Sequence, residues 1–181
     1  RLPARDRILV LASEAARTGD AALFEEIREG VRLYPDDPDL WFELGEFIYH
    51  EGLSAGVATL PQAMEAFNKA VELDPGFGPY QVQPLELTIA SGDRVAAEAA
   101  FERYRSSTED RRNVTEFSLA IPVLLGDDQE LAAALQGSLE VDVGTIARIR
   151  IAFANRQDRY DRIRELLWVN RHRAGSDHQW I

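Results

Sequence analysis

The chain has 181 residues and carries 20 basic and 31 acidic side chains, which gives a net charge of −11. Its 45% apolar and 28% charged residues are typical of a globular domain or a short repeat array. Cysteine is absent, which excludes disulfides, a cysteine nucleophile and thiolate metal sites, and the acidic charge disfavours duplex nucleic acid and anionic membranes as partners.

No stretch of the sequence approaches the ~18 uninterrupted apolar residues of a membrane span. The first residues include neither an initiator Met nor the apolar core of a signal peptide. From these features we expect a cytoplasmic piece of a longer polypeptide, with no membrane partner.

Apolar residues recur with helical spacing along the whole chain, and short turns separate the runs. The turn Gly92-Asp93 follows one apolar run, Gly126-Asp127 follows another 34 residues later, and Gly19-Asp20 occupies an equivalent place. A period of this length indicates an array of helix pairs. The predicted pairs are 5–18 with 21–34, a pair within 36–75, 79–91 with 94–106, 113–125 with 128–135, and 144–155 with 158–170.

Three features depart from a plain helical pattern. Pro84 departs from the pattern of the predicted helix 79–91, because an interior proline costs a helix ~3 kcal/mol unless it begins the helix. Pro122 should bend the first helix of the fourth pair. The run Ile146–Ile151 alternates as a strand does, but we interpret it as helix because a single strand would have no neighbour.

The second pair shows what repeats. Its first helix carries four residues on one face, spaced i, i+3, i+4 and i+7, and its second helix carries three at i, i+4 and i+7. Glycine and alanine should allow close helix contact, while the aromatic rings should fill the remaining volume. The predicted repeat core, with the proline that ends the pair, is Trp41, Leu44, Gly45, Ile48, Ala63, Phe67, Ala70 and Pro75.

The pattern Trp41-x-x-Leu44-Gly45-x-x-Ile48 … Ala63-x-x-x-Phe67-x-x-Ala70 … Pro75 resembles a tetratricopeptide repeat (TPR). The resemblance is strongest over 36–75, where an insertion of about six residues lies within 51–60. It implies an all-α, right-handed solenoid of about five helix pairs, with three TPR-like repeats in 1–107 and divergent helical hairpins in 108–181. The segment Leu44–Gly52, followed by Gly56, also resembles repeats of large bacterial regulators that often carry a serine/threonine kinase or a DNA-binding domain.

The resemblance implies a non-catalytic protein–protein interaction module, the scaffold, sensor or regulatory arm of a larger bacterial protein. Its concave groove would be lined by Asp39, Phe42, Glu46, Tyr49, His50, Val82 and Glu86, with Asp6, Leu9, Ser13 and Arg17 contributing from the first pair. Two acidic groups among the five best-matched positions predict a protein or peptide partner with basic and apolar side chains. The alternative is a spacer or oligomerisation domain whose groove binds nothing.

A second candidate surface is the segment from Thr145 to Arg173, which holds eight arginines and three acidic residues, with aromatic residues between them. Three interpretations remain open: an ordinary solvated face, protein docking that includes self-association, and single-stranded nucleic-acid binding. The arginines proposed for a secondary docking patch are Arg148, Arg150, Arg159 and Arg162.

Other motifs in the sequence only partly match known catalytic or metal-binding patterns. Gly52-Leu53-Ser54-Ala55-Gly56 spells a nucleophile elbow, but that motif requires a strand before the serine, so a hydrolase is disfavoured. The three histidines lack metal-ligand spacing, and the clusters at 36–39 and 127–128 lack the full calcium-loop pattern. We therefore predict no catalytic residue, no metal and no cofactor.

Overall fold

The computed structural model describes residues 2–18, 22–53, 56, 58–154 and 159–173, and its regular structure is helical, with no strand among these residues. The described helices are α1 (Ala4–Thr18), α2 (Ala22–Leu33), α3 (Pro38–Phe47), α4 (Leu60–Leu73), α5 (Val82–Ser91), α6 (Arg94–Ser107), α7 (Arg111–Leu125), α8 (Asp128–Gly137), α9 (Val143–Ala152) and α10 (Tyr160–Asn170). No described helix is both long enough and apolar enough to cross a bilayer.

The all-helical prediction is confirmed, and the helix bounds follow the predicted pairs closely. The alternating run Ile146–Ile151 lies inside α9 and is not a strand. Pro84 is the third residue of α5, where a missing N–H is tolerated, and the 3₁₀ turn Gly78–Gln81 precedes this helix. Helix α7 continues through Pro122.

Two compact units divide the chain, residues 1–84 and residues 85–181. In the first unit α3 is central, because it packs against α1, α2 and, most extensively, α4. The rings of Phe24 and Phe47 stack with centroids 5.1 Å apart. Gly45 lies so close to α4 that a Cβ atom there would stand 2.6 Å from the ring of Phe67, so only glycine fits.

In the second unit α7 is central and packs against α6, α8, α9 and α10. Its apolar face buries Phe117, Ala120 and Leu124. Facing helices supply further fully buried side chains, among them Tyr104, Ile146, Ile149, Ile163 and Leu166. This continuous apolar interior holds the four neighbours of α7 in place.

The two Gly-Asp turns that the structure describes use glycine for different reasons. Gly92 has a φ of +85°, which favours glycine. Gly126 has a φ of −71°, but a Cβ there would stand 2.4 Å from the carbonyl oxygen of Pro122. Both following aspartates cap a helix, Asp93 capping α6 and Asp127 capping α8. Gly19-Asp20 lies outside the described residues.

The insertion predicted within 51–60 falls between α3 and α4. After Phe47 the chain forms a π-helical turn, Ile48–Gly52, and α4 begins only at Leu60. Gly56 has a φ of +68°. The two helices are therefore joined by a longer connection than a tight hairpin turn requires.

Long-range side-chain hydrogen bonds recur at a nearly constant sequence separation in each unit. Bonded partners lie 32 to 36 residues apart in the pairs Arg5–Asp37, Arg5–Asp39, Arg94–Glu130, Glu116–Arg148, Asp128–Arg162 and Ser138–Asn170. Two of the acidic partners also start a helix: Asp37 caps α3, and Glu130 completes the capping box of α8. The bond from Tyr80 to Asp39 spans 41 residues, a longer separation that includes the insertion.

Candidate partner-binding site

Helix α3 carries the best-matched groove positions. Asp37 caps the helix by accepting from the backbone N–H groups of Asp39 and Leu40, and Pro38 provides a helix-compatible first residue. One face of α3 is buried. Another side carries Asp39, Glu43 and Glu46, spaced i, i+4 and i+7, which we call the acidic face of α3.

Asp39, at the first end of this face, is bonded within the chain. Arg5 of α1 donates from Nη2 to Asp39 at 2.5 Å and from Nε to Asp37 at 2.5 Å. The Tyr80 hydroxyl also donates to Asp39, and burial together with this bond raises the pKa of Tyr80. Asp39 therefore ties α3 to α1 and to the turn before α5.

Phe42 is half-buried and packs within the chain too. Its ring centroid lies 5.7 Å from that of Phe67 and 5.2 Å from that of Tyr80. The ring thus bridges α3, α4 and the 3₁₀ turn, a packing role that limits the area left for a partner.

Glu46 is the most perturbed acid of the face. Its side chain is 21% exposed, and Oε1 is buried with no hydrogen-bond partner among the described residues. Burial and the charge of Glu43 raise the pKa of Glu46 to about 7, and burial and Asp39 raise that of Glu43. Among the residues that the structure describes, no arginine or lysine pairs with Glu43 or Glu46 as Arg5 pairs with Asp39. Glu43 was not among the predicted groove positions, although its spacing from Asp39 and Glu46 indicates a shared face.

Tyr49 and His50 lie in the π-helical turn that follows α3. Their ring centroids are 4.9 Å apart, in an edge-to-face arrangement. His50 is about half exposed, and its Nε2 lies 3.6 Å from Oε2 of Glu46. The phenol ring of Tyr49 and the imidazole ring of His50 therefore lie at the Glu46 end of the acidic face.

The remaining predicted groove positions lie on α1 and α5. Val82 begins α5 and Glu86 lies one turn later, and both are half-buried. Asp6 accepts from Arg5 at 3.4 Å, and Leu9 is half-buried. The side chains of Ser13 and Arg17 lie outside the described residues.

The repeat core needs a correction at its two ends. The structure buries Leu44, Gly45, Ile48, Ala63, Phe67 and Ala70. Trp41 is only half-buried: its indole N–H donates to the carbonyl of Pro35 at 2.8 Å, and the ring lines two depressions of about 470 and 690 Å³. Pro75 is exposed in the turn after α4, where its carbonyl accepts from Gln81 at 3.0 Å. Helix α4 ends just before this proline, so Pro75 contributes little packing.

The predicted arginine patch divides into two groups. Arg148 donates to the buried Glu116 at 2.6 Å, and Arg162 donates to the carbonyl of Gly126 at 2.6 Å, so both hold helices of the second unit together. Arg150 is exposed near the end of α9, and Arg159 is half-buried just before α10. The four residues therefore do not act as one solvated patch.

The structure gives no catalytic or metal-binding role to the elbow-like sequence, the histidines or the acidic clusters among the residues that it describes. Ser54 and Ala55 of the elbow-like sequence lie outside the described residues, as does His178. Gly52 ends a helical turn, not a strand, so the backbone before Ser54 lacks the geometry of a nucleophile elbow. Within the described ranges no three His, Asp or Glu side chains are grouped as metal ligands.

Comparison of the chain with protein-family models, curated proteins and solved structures gave no match. The contacts and charges of its surfaces are therefore what indicate a function.

Proposed function

We propose that the chain is a non-catalytic protein–protein interaction module whose helix pairs stack in the manner of TPRs, and that it serves as the scaffold, sensor or regulatory arm of a larger bacterial protein. The supporting observation is the separation of 32 to 36 residues between hydrogen-bonded side chains in both units. A stack of ~34-residue repeats brings each side chain against its counterpart one repeat further along.

The proposed ligand is an extended protein segment with basic side chains and at least one apolar anchor. The acidic face of α3 supports this choice, because Glu43 and Glu46 carry raised pKa values and Glu46 has a buried, unpaired oxygen. An arginine or lysine of the partner beside the partly exposed Glu46 side chain supplies a permanent opposite charge to this carboxylate. Binding then lowers the pKa of Glu46 and releases a proton near neutral pH.

Different residues of α3 have different roles in this proposal. Asp39 and Phe42 hold the face in place through Arg5, Phe67 and Tyr80. Glu43 and Glu46 select the basic partner, and Tyr49 stacks on its cation or its apolar anchor.

The test is an array of 12-residue peptides in which Arg and Lys content is varied around one Leu or Phe. We expect the double variant Glu43→Gln/Glu46→Gln to lose at least tenfold in affinity for basic peptides. Glu25→Gln/Glu26→Gln on α2 makes the same change in net charge and should retain binding. Affinity of the parent chain should rise between pH 6 and pH 8 as Glu46 ionises. Equal affinities of the two double variants would refute this site.

The second candidate is a spacer or oligomerisation domain. It is favoured by the internal bonding of Asp39 and Phe42, which leaves less of α3 for a partner. A spacer binds no peptide of the array, while an oligomerisation domain shows a concentration-dependent mass in light scattering. Nucleic-acid binding is weakened as an alternative, since Arg148 and Arg162 are bonded within the second unit.

A further inference from the structure

The second unit has an exposed apolar groove between α9 and α10. Its volume is about 870 Å³, and both helices contribute to its walls. Ile151, Tyr160 and Trp168 line it with 71%, 54% and 60% of their surfaces exposed. Large apolar side chains exposed together on one surface mark interaction sites, whereas single exposed ones are ordinary.

Four of the groove residues form a stripe along α10 and the residue that caps its C-terminus. Tyr160, Arg164, Trp168 and Arg171 are spaced by four, four and three residues, so they share one face. At 1.5 Å per residue the stripe runs for about 16 Å, or three helical turns. A surface of this form fits the apolar face of another helix, with anchors at i, i+4 and i+7.

Cations surround this apolar surface. Arg150, Arg164 and Arg171 line the groove with Asp161 and Glu165, and Arg164 is paired with Asp161 at 3.5 Å. The Arg171 guanidinium lies 3.9 Å from the centroid of the Trp168 ring and also donates to the Trp168 carbonyl. This stacking orients a cation beside the apolar anchor before any partner arrives.

We propose that the α9–α10 groove binds an amphipathic helix of a partner protein whose apolar face is flanked by glutamate or aspartate. Charge complementarity selects this occupant: the groove is lined by three arginines and two acidic residues, an excess of positive charge in a chain of net charge −11. The partner's aliphatic or aromatic anchors pack on Trp168 and Ile151, and its carboxylates accept from Arg150 and Arg171. This site has the opposite charge preference to α3 and does not rest on the function proposed for that helix.

The probe is a panel of dye-labelled, 15-residue amphipathic helices with Leu, Phe or Trp on one face and Glu beside it. Matched peptides carry Lys at every Glu position. Binding to the full chain is measured by fluorescence anisotropy, with circular dichroism of each variant to verify folding. We expect Glu peptides to bind at least tenfold more tightly than their Lys counterparts, with affinity that falls as salt rises.

The variants locate the site. Trp168→Ala and Arg150→Glu/Arg171→Glu should each weaken binding at least tenfold. Val95→Ser and Arg103→Glu alter exposed residues of α6 and should leave binding unchanged. The double variant Glu43→Gln/Glu46→Gln should also bind normally, so failure of the α3 proposal remains distinguishable.

Four results would overturn this inference: no peptide of the panel binds, Lys peptides bind equally well, the groove variants bind like the α6 controls, or another occupant takes the groove. Light scattering that shows a dimer of the parent chain, abolished by Trp168→Ala, would assign the groove to a second copy. Binding of oligo-dT lost in Arg150→Glu/Arg171→Glu, without peptide binding, would assign it to single-stranded nucleic acid.

Discussion

Replacing Glu46 by Gln tests the electrostatics of the acidic face directly. Burial and the nearby Glu43 raise the pKa of Glu46 from 4.5 to about 7. Since one pKa unit corresponds to about 1.4 kcal/mol, the ionised carboxylate costs the folded state roughly 3 kcal/mol at alkaline pH. The neutral amide of Gln avoids this cost while keeping the size of the side chain.

The direction of the effect follows from proton linkage. Below pH 4.5 Glu46 is protonated in both the folded and the unfolded chain, so its ionisation costs nothing. Between about pH 4.5 and 7 the unfolded chain has lost the proton and the folded chain retains it, so the free energy of unfolding falls. Above pH 7 the penalty is complete. Glu46→Gln should therefore be about as stable as the parent at pH 4.5 and more stable by up to about 3 kcal/mol at pH 8.

Urea unfolding followed by circular dichroism at pH 4.5, 6 and 8 measures this difference. The matched control is Glu26→Gln, which removes one exposed carboxylate from α2. It should change stability by less than about 0.5 kcal/mol at each pH. If the two substitutions show the same pH dependence, Glu46 is not held in an unfavourable environment, and the argument for a cation-seeking site on α3 fails.

Three further substitutions test packing and pairing. Gly45→Ala should cost about 1–3 kcal/mol in urea unfolding because the new methyl group meets Phe67, whereas Gly137→Ala, where a Cβ meets nothing within 4 Å, should cost nothing. Trp41→Ala should cost about 2 kcal/mol, less than the ~3–5 of a fully buried tryptophan, and an unchanged denaturation midpoint would show that its packing is dispensable. Arg148→Met should cost about 3 kcal/mol at pH 8, because it leaves the buried Glu116 without its cation, and adding Glu116→Gln should restore most of the loss; no recovery would show that the pair is not the cause.

The sequence predicted the helices well because their signals are local. Apolar spacing, aspartate caps and the Gly-Asp turns lie within a few residues of the helix ends that they specify. The contact of Gly45 with Phe67 was also predictable, because a glycine on an otherwise apolar helix face indicates close approach of a large side chain.

Side-chain pairing between helices of different pairs could not be predicted from the sequence. The acidic positions of α3 looked equivalent, yet Arg5 pairs with Asp39 and not with Glu46. This difference depends on which turn of α1 faces α3. In the same way Arg148 looked solvent-exposed, although it reaches a glutamate 32 residues earlier. Such pairings depend on the offset between packed helices, and apolar periodicity does not encode that offset to within one turn.

The double use of helix-capping carboxylates has a consequence for cooperativity. Asp37 holds the first turn of α3 and accepts from Arg5 of α1, while Glu130 holds the first turn of α8 and accepts from Arg94 of α6. The start of a helix in one pair thereby gains stability when the preceding pair is in place, because the arginine of that pair orients and neutralises the capping carboxylate. Local opening should then spread from one pair to the next, so that α3 and α1, and likewise α8 and α6, exchange their amide protons as joint units.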